Sequence, residues 1–398
     1  MIDSSKYLKK ISLYKSNLWE EKKPFLVNLD IELTERCNLN CQHCYINQPA
    51  TNNKIKQQEL SAERIKSILT EAASLGCLMV RFTGGEPLLR DDFEEIYVYA
   101  RRLGLKVLLF TNATLITPRL AALFSRIPLL EKIEITFYGM KKHSYEQATR
   151  VPGSYEQARR GIGLLLEKKV PFVVKGALLP PNRDELEEFD KWVLSMPGAE
   201  NRPSQVICFS LRCRRDSETR NCLIKKLRWT PGQCLEILKR TEPQYSDDMK
   251  VFSQSHMFPP GEKLFTCDAG LGKACVDAYG FLQPCMLMRH PDTIYNLDNG
   301  SIRDCLTNIF SKVRLKKAKN PDYLNHCAHC FLKGLCDMCP AQSWMEHGTL
   351  DTPVEYLCDV AHEVARYLGF IKKEEKAWEV NDWKQRIQRV SEAHYGAR

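Results

Sequence analysis

The first clear pattern in the chain is an alternation of apolar and polar residues that begins at Phe25. The apolar positions of this alternation are Val27, Leu29, Ile31 and Leu33. A period of two is typical of a strand with one buried face. The period then lengthens to that of a helix over residues 61–75, where apolar side chains recur on one face.

The same strand and helix unit repeats along the first half of the chain. Further strands are predicted over residues 77–83, 105–111, 132–137, 170–178 and 204–211, and further helices over 91–102, 117–127, 154–168 and 184–195. Strands that alternate with helices imply right-handed crossovers and a parallel sheet with helices outside. We therefore predict an α/β fold whose sheet is either open or curled into an incomplete barrel, with its active site at the carboxyl ends of the strands.

The composition indicates that the protein binds metal and has a basic surface. The chain has 398 residues, 17 cysteines and a formal net charge of +9. No secretory signal and no apolar stretch of about 18 residues is found, so we expect a cytoplasmic protein without a membrane partner, in which clustered cysteines bind metal. The net positive charge is explained either by an acidic binding partner or by an ordinary solvated basic surface. Nucleic acid is an unlikely partner, because the basic runs lack interleaved aromatic residues.

Three cysteines follow the first strand at a distinctive spacing, Cys37-x3-Cys41-x2-Cys44. Three thiolates hold three corners of a cubane cluster and leave the fourth iron open. That iron can be chelated by the amino and carboxylate groups of an amino-acid-like cofactor. The alternative is a zinc loop, which needs a fourth ligand such as His43.

This cysteine loop resembles the signature of the radical S-adenosylmethionine (radical SAM) superfamily, including the aromatic Tyr45 beside the third cysteine. The second strand ends in Gly84, Gly85, Glu86 and Pro87, which resembles the glycine-rich motif of the family. The resemblance implies a partial (β/α)6 TIM-like barrel that binds S-adenosylmethionine and a 4Fe-4S cluster. It also implies further cofactor contacts at strand ends and nearby, namely Asn112, Thr136, Arg150 and Lys175. The last two are equally well explained as ordinary surface cations.

A second set of cysteines occupies the loop-rich C-terminal part of the chain. Its elements are Cys267-x12-Gly280-x4-Cys285, then Cys327-x2-Cys330-x5-Cys336-x2-Cys339, then Cys358. They resemble the SPASM domain, which carries auxiliary 4Fe-4S clusters in peptide-modifying and protein-modifying radical SAM enzymes. The resemblance assigns Cys327, Cys330, Cys336 and Cys358 to one cluster and Cys267, Cys285 and Cys339 to a nearer one, with Cys275 as the candidate for its fourth ligand. A pair of zinc sites is the alternative.

These observations predict a division of the chain into an N-terminal extension (1–24), a radical SAM core (25–235), a linker (236–264), a SPASM domain (265–365) and a helical tail (366–398). Cys77, Cys208, Cys213, Cys222, Cys234 and Cys305 are expected to be free thiols. Because fully thiolate-ligated clusters accept electrons, the resemblance implies an oxidative enzyme with three 4Fe-4S clusters.

The leading hypothesis is a maturase that installs a thioether or carbon–carbon crosslink in a ribosomally made peptide. The expected partners are a precursor peptide, with or without a separate leader-binding protein, and an acidic electron donor such as flavodoxin or ferredoxin. A tetrapyrrole-modifying enzyme is the alternative within the same chemistry. A sulfatase-maturing enzyme is disfavoured, because Met286 stands where that group has an acidic residue. A zinc-binding nucleic-acid protein is the alternative from another class.

Overall fold

The computed structural model describes residues 24–46, 48–196, 205–207, 211–213, 217–241 and 245–395. The predicted N-terminal extension, apart from its last residue, lies outside these ranges, as does Cys208.

The strands of the fold are β1 (Leu26–Thr34), β2 (Arg36–Cys37), β3 (Gln48–Pro49), β4 (Met79–Gly84), β5 (Lys106–Thr111), β6 (Leu130–Thr136), β7 (Phe172–Ala177), β8 (Gln205–Ile207), β9 (Gly272–Val276), β10 (Phe281–Gln283) and β11 (Tyr295–Asn296). Nine of them form the main sheet, in the order β11-β10-β9-β1-β4-β5-β6-β7-β8, and β2 pairs with β3 in a small second sheet. All neighbours from β9 to β8 pair in parallel, whereas β10 and β11 are antiparallel to their neighbours. The predicted α/β partial barrel is thus confirmed.

Helices follow most strands and cover the outside of the sheet. They are α1 (Asn53–Gln58), α2 (Ala62–Ser74), α3 (Phe93–Arg102), α4 (Pro118–Arg126), α5 (Lys142–Thr149), α6 (Ser154–Glu167), α7 (Leu186–Leu194), α8 (Glu218–Leu227), α9 (Pro231–Thr241), α10 (Tyr245–His256), α11 (Ile302–Asp304), α12 (Ser311–Arg314), α13 (Pro340–His347), α14 (Glu355–Tyr367) and α15 (Trp383–Tyr395). A π-helical turn, Cys305–Phe310, joins α11 to α12. A side-chain cap begins α4, where Thr117 accepts a hydrogen bond from the N–H of Leu120.

The alternation in β1 separates an apolar outer face from a polar inner face. Leu29, Ile31 and Leu33 are buried in the main hydrophobic core. Asp30 points to the other side, where its carboxylate lies 3.2 Å from Arg81 on β4. The period-two pattern therefore describes a strand whose polar residues line the inside of the curled sheet.

The C-terminal cysteine-rich region contributes strands to the barrel sheet, while the predicted division of the chain into domains stays a prediction. Its strand β9 pairs in parallel with β1, so β9, β10 and β11 extend the barrel sheet beyond its first strand. The sequence pattern did not reveal this, because β10 and β11 are only three and two residues long. Strands this short are below the length at which periodicity can be recognised.

Residues 236–264, predicted as a linker, are largely helical and packed. They contain the end of α9 and the whole of α10. Tyr245 and Met257 at the two ends of α10 share a buried cluster with Phe331, Phe370 and Ile387. The helical tail is therefore anchored on this segment.

A buried cation joins the two halves of the protein. The guanidinium of Arg289, which follows β10, donates to the Glu35 carboxylate at 2.6 Å and also pairs with Glu32. Tyr279 donates to the same Glu35 carboxylate at 2.8 Å. Burial raises the pKa of Glu32 to about 7, although the charge of Arg289 opposes this shift. The ion-pair cluster thus fixes the C-terminal region against the end of β1.

Replacing Arg289 with methionine should destabilise the folded protein by about 3–5 kcal/mol, because two carboxylates are left buried without their cation. Burial already raises the pKa of the Glu32 carboxyl to about 7, and loss of the opposing charge of Arg289 should raise it further above its unfolded value. The stability deficit should therefore be small at low pH and grow as the pH rises through the folded pKa of Glu32. Anaerobic urea unfolding of the reconstituted protein at several pH values measures both effects.

Arg119→Met is the matched control, because Arg119 pairs with Glu94 at 2.9 Å with its side chain 81% exposed. An exposed pair contributes at most about 1 kcal/mol. Equal destabilisation by the two substitutions would show that the buried cluster has no special role.

Candidate functional site

The first cysteine loop follows β1 and is fixed by backbone contacts to α5. The N–H groups of Asn40 and Gln42 donate to the carbonyls of Thr149 and Ala148 at 3.0 and 3.1 Å. These carbonyls lie in the last turn of α5, where backbone acceptors lack helical partners. The helix end therefore holds the loop in place.

Three thiols come together on this loop. Cys37, Cys41 and Cys44 act electrostatically on one another. Burial is the main cause that raises the pKa of Cys37 to about 12 and that of Cys41 well above its ordinary value. As free thiols they would stay protonated at neutral pH, and a bound metal centre would convert them into thiolates.

The glycine-rich motif lies directly against this loop. A Cβ atom on Gly84 would come within 2.1 Å of the Thr34 carbonyl oxygen, and one on Gly85 within 2.2 Å of the Arg36 oxygen. Gly85 and Glu86 also donate their N–H groups to these two carbonyls, at 2.7 and 2.9 Å. The close approach that requires glycine is therefore made to the backbone of this chain. The predicted contact with the cofactor stays a prediction.

Glu86 and Asn112 connect the motif to the next strand end. The buried Glu86 carboxylate accepts hydrogen bonds from Thr111 Oγ1 at 2.8 Å and from the Asn112 N–H at 2.7 Å. The Asn112 amide in turn lies 3.8 Å from Cys37 Sγ and donates to Asn38 at 3.0 Å. Glu86 thus positions Asn112 beside the cysteine loop, and its carboxylate is engaged within the protein.

The other predicted cofactor contacts are more scattered. Tyr45 is half-buried beside Arg212, with 5.8 Å between the guanidinium and the ring centre. Pro87 is buried and begins a short 3-10 turn, while Thr136 ends β6. Arg150 is exposed and ends α5 in a left-handed conformation. Lys175 faces the barrel interior, where it pairs with Glu134 and stacks 3.7 Å above the Phe110 ring centre. These contacts with the cofactor stay predictions.

The C-terminal cysteines fall into two groups. The first contains four thiols that act electrostatically on one another, namely Cys327, Cys330, Cys336 and Cys358. The second contains Cys285, Cys339 and Cys267. Five of these residues line a cavity of about 250 Å³, namely Cys327, Cys330, Cys336, Cys339 and Cys358. A cavity of this size holds several times the about 30 Å³ that one water molecule occupies in the liquid, so it has room for a group of several atoms.

Cys275 is not brought into either group. It is fully buried in β9, in register with Asp30 on one side and Gln283 on the other. The charged groups that act on its thiol are Glu32, Asp30 and Arg289 of the barrel interior. The prediction of Cys275 as a fourth ligand finds no support in this arrangement. The nearer group has three thiols among the described residues.

The donor sets fit cubane clusters. All cysteines in the described ranges are free, and the ligand groups consist of thiols alone. Within these ranges, no three His, Cys, Asp or Glu side chains converge closely enough to share one metal ion. Thiolates of a cubane each bind a separate iron, so they stand farther apart than the about 3.8 Å between two thiolates on one tetrahedral zinc.

His362 is a neighbour of the distal group that sequence reasoning missed. Its Nδ1 lies 2.9 Å from the Cys358 carbonyl oxygen and 3.5 Å from Cys358 Sγ. Its Nε2 accepts the N–H of Ala377 at 3.2 Å, which places the ring proton on Nδ1. The spacing of four residues between Cys358 and His362 is visible in the sequence, and it places the two side chains on one face of α14.

Comparison with known proteins agrees with this geometry. The profile of the Radical SAM superfamily matches residues 31–193. AdoMet-dependent heme synthase of Oleidesulfovibrio alaskensis is 25% identical over 337 residues, which is 80% of this chain and 83% of that protein. Mycofactocin maturase MftC of Mycolicibacterium smegmatis is 32% identical over 163 residues, which is 40% of this chain and 39% of the maturase.

The fold also matches a solved structure over most of its length. SuiB of Streptococcus suis, bound to its precursor peptide SuiA, superposes with a TM-score of 0.64 at 16% identity, covering 86% of this chain and 78% of SuiB. Among the described residues, no helix combines the length and the apolar character needed to cross a bilayer.

A domain of this superfamily binds S-adenosylmethionine and a 4Fe-4S cluster, and the three thiols beside the glycine motif suit that cluster chemically. The match over residues 31–193 coincides with the strands that carry these thiols, and the cysteine-rich region continues the same sheet. The chain is an enzyme that carries a Radical SAM superfamily domain over residues 31–193, and a cysteine-rich C-terminal region follows this domain.

Proposed function

We propose that this enzyme holds three iron-sulfur clusters and oxidatively crosslinks a ribosomally synthesised peptide. In this proposal Cys37, Cys41 and Cys44 hold the cluster that cleaves S-adenosylmethionine. The four-thiol and three-thiol C-terminal groups hold two auxiliary clusters. With its cofactor bound, the first cluster supplies a 5'-deoxyadenosyl radical that abstracts a hydrogen atom from an unactivated carbon.

The observation that carries the proposal is the existence of two further thiol groups besides the cofactor loop. Removing a hydrogen atom from the substrate leaves a carbon radical. Joining that carbon to a second side chain then releases one electron and one proton. An iron-sulfur cluster bound by thiolates is suited to accept an electron. A redox-neutral rearrangement would need no electron acceptor. The presence of two C-terminal thiol groups therefore favours a reaction that oxidises the substrate as it forms the bond.

The polar lining of the barrel supports a substrate with many hydrogen-bonding groups. Gln283, Cys275, Asp30 and Arg81 are successive register partners across four strands, so their side chains share the inner face. In the described part of the chain, both amide atoms of Gln283, Oε1 of Glu32 and Nε of Arg81 are buried without a partner. Unpaired buried polar atoms are costly, so the inner face of the barrel keeps unused hydrogen-bonding capacity, which suits a polar rather than an apolar ligand.

The similarity to a maturase and the net charge of this chain support two of the expected partners. The similarity to a maturase, MftC, covers 40% of this chain and supports a peptide substrate. Residues 136–153, with a Tyr-Gly pair and a Pro-Gly turn, also resemble peptide maturases. The net charge of +9 suits an acidic electron donor such as flavodoxin or ferredoxin, since opposite charges speed encounter.

A tetrapyrrole is the second candidate substrate. It is favoured by the heme synthase similarity, which at 25% identity extends over 80% of this chain and 83% of the relative. The maturase similarity is higher in identity but covers only 39% of that relative. Both candidates need the same first half-reaction, so they differ only in what the barrel binds.

The cofactor-cleaving role of the first cysteine loop predicts that Cys41→Ala abolishes formation of 5'-deoxyadenosine. Loss of one of three thiols leaves the cluster with too few ligands to be retained. The measurement is chromatographic quantification of 5'-deoxyadenosine after anaerobic reduction with dithionite. Cys222→Ala is the matched control, because Cys222 is exposed and belongs to none of the three thiol groups. Undiminished 5'-deoxyadenosine in Cys41→Ala would mean that another part of the chain holds the cluster.

The peptide proposal predicts that a short peptide encoded beside this gene loses two hydrogens per crosslink when it is co-expressed with the enzyme. Intact-mass and fragmentation spectra locate the bond, and Cys41→Ala should return the peptide unmodified. An unmodified peptide together with turnover of an iron-bound tetrapyrrole in the same preparation would contradict the peptide proposal and establish the second candidate.

A further inference from the structure

Tyr138 lies just after the end of β6, in the segment Thr136-Phe137-Tyr138-Gly139. Its phenol hydroxyl can donate a hydrogen bond as well as accept one. A donor at this strand end can act on the cysteine loop beside it.

The side chain of Tyr138 is directed at the first cysteine loop. It is 9% exposed, and its hydroxyl is in hydrogen-bonding contact with the thiol of Cys41. The imidazole of His43 packs against the Tyr138 ring edge to face, with ring centres 4.9 Å apart. Cys41 is itself 7% exposed, so water has little access to the contact.

The backbone around Tyr138 fixes the direction of this hydroxyl. The Asn182 amide donates to the Tyr138 carbonyl at 2.6 Å and to the Ala177 carbonyl at 3.0 Å. The same side chain accepts from the Leu179 N–H at 2.7 Å. A turn after β7 therefore holds the end of β6, while His43 confines the ring from the loop side.

We propose that Tyr138 is a positioning residue of the cofactor-cleaving cluster, whose hydroxyl donates a hydrogen bond to the Cys41 sulfur and raises the reduction potential of the cluster. The proposal rests on the proposed ligation by Cys37, Cys41 and Cys44. It does not depend on which substrate the barrel binds.

The physical reason is the charge difference between the two oxidation states. Reduction adds one negative charge to the cluster, and part of it resides on the sulfur atoms. A hydrogen bond to sulfur therefore stabilises the reduced form more than the oxidised form. A free phenol loses its proton only near pH 10, so the Tyr138 hydroxyl is a donor at neutral pH. Its burial with Cys41 strengthens the effect, since water competes poorly there.

Tyr145 provides a matched control within the same aromatic cluster. Its ring centre lies 6.2 Å from that of Tyr138, and both side chains are buried. In the described part of the chain, the Tyr145 hydroxyl has no hydrogen-bond partner. Tyr145→Phe therefore removes a hydroxyl from the same surroundings without removing a hydrogen bond to the cysteine loop.

The test is a redox titration of the full-length reconstituted protein, followed by electron paramagnetic resonance. The first cluster is recognised by the change of its signal when S-adenosylmethionine is added. Tyr138→Phe should reduce the equilibrium constant for reduction of this cluster about tenfold, which is about 59 mV for a one-electron couple. Tyr145→Phe should leave it unchanged. An unchanged potential in Tyr138→Phe, or an equal shift in Tyr145→Phe, overturns the proposal.

A second variant keeps the test decisive if Tyr138→Phe loses the cluster. Incorporation of 3-fluorotyrosine at position 138 keeps the shape of the ring and makes the hydroxyl a stronger donor, so the potential should rise. No rise overturns the proposal. Failure of the ligand assignment is distinguishable, because the signal that responds to S-adenosylmethionine would then persist in Cys41→Ala.

Discussion

The pairing of β1 with β9 is the contact on which the rest of the structure depends. Strand β1 is flanked by β4 on one side and by β9 on the other, so one central strand connects the barrel to the cysteine-rich region. Its end leads directly into the first cysteine loop, and β9 lies shortly after Cys267. The buried ion pairs of Arg289 with Glu32 and Glu35 stabilise the contact between the cysteine-rich region and the end of β1. The thiol groups at both ends of the chain are thus tied to one sheet.

This arrangement gives the glycine motif and its neighbours a mainly structural task. Gly84 and Gly85 let β4 approach the backbone that precedes the thiols, and Glu86 holds Asn112 beside Cys37. A cluster that leaves one iron open needs its ligands held firmly, because no fourth thiolate restrains it. The loop is accordingly fixed by α5, by the glycine motif and by Tyr138, each of which contacts a different part of it.

The hydrophobic period along the sequence correctly predicted five helices between the barrel strands, because each of these helices buries one face. The five helices predicted between the strands, now α2, α3, α4, α6 and α7, end within two residues of their predicted bounds. The same patterns missed α10, whose packing against the tail is a long-range contact, and they missed the extension of the sheet by β9 to β11. Pairing between strands that are more than 200 residues apart leaves no periodic signal in either strand.

The same distinction applies to the candidate site. The cysteine loop at 37–44 and the Cys327–Cys339 run bring thiols together because their members are close in sequence, whereas Cys267, Cys285 and Cys358 join their groups only through the fold. Ligation of a cluster by each group stays a prediction. Cys275 could not be placed in this way, since its direction depends on the pairing of β9 with β1. The sequence pattern did not indicate the roles of Tyr138 and His362 either. Tyr138 contacts Cys41, which lies on a different element of the fold. His362 contacts Cys358 only because both lie on one helix, one turn apart.

The central claim is that three separate thiol groups each hold one iron-sulfur cluster. Iron and acid-labile sulfide, measured after anaerobic reconstitution of the wild type, Cys41→Ala and Cys330→Ala, test it most directly. The account predicts about twelve irons per wild-type chain and about eight in each variant, because each substitution removes one cubane and leaves the other two. Stoichiometric zinc in place of iron, or a variant that retains the wild-type iron content, would contradict it.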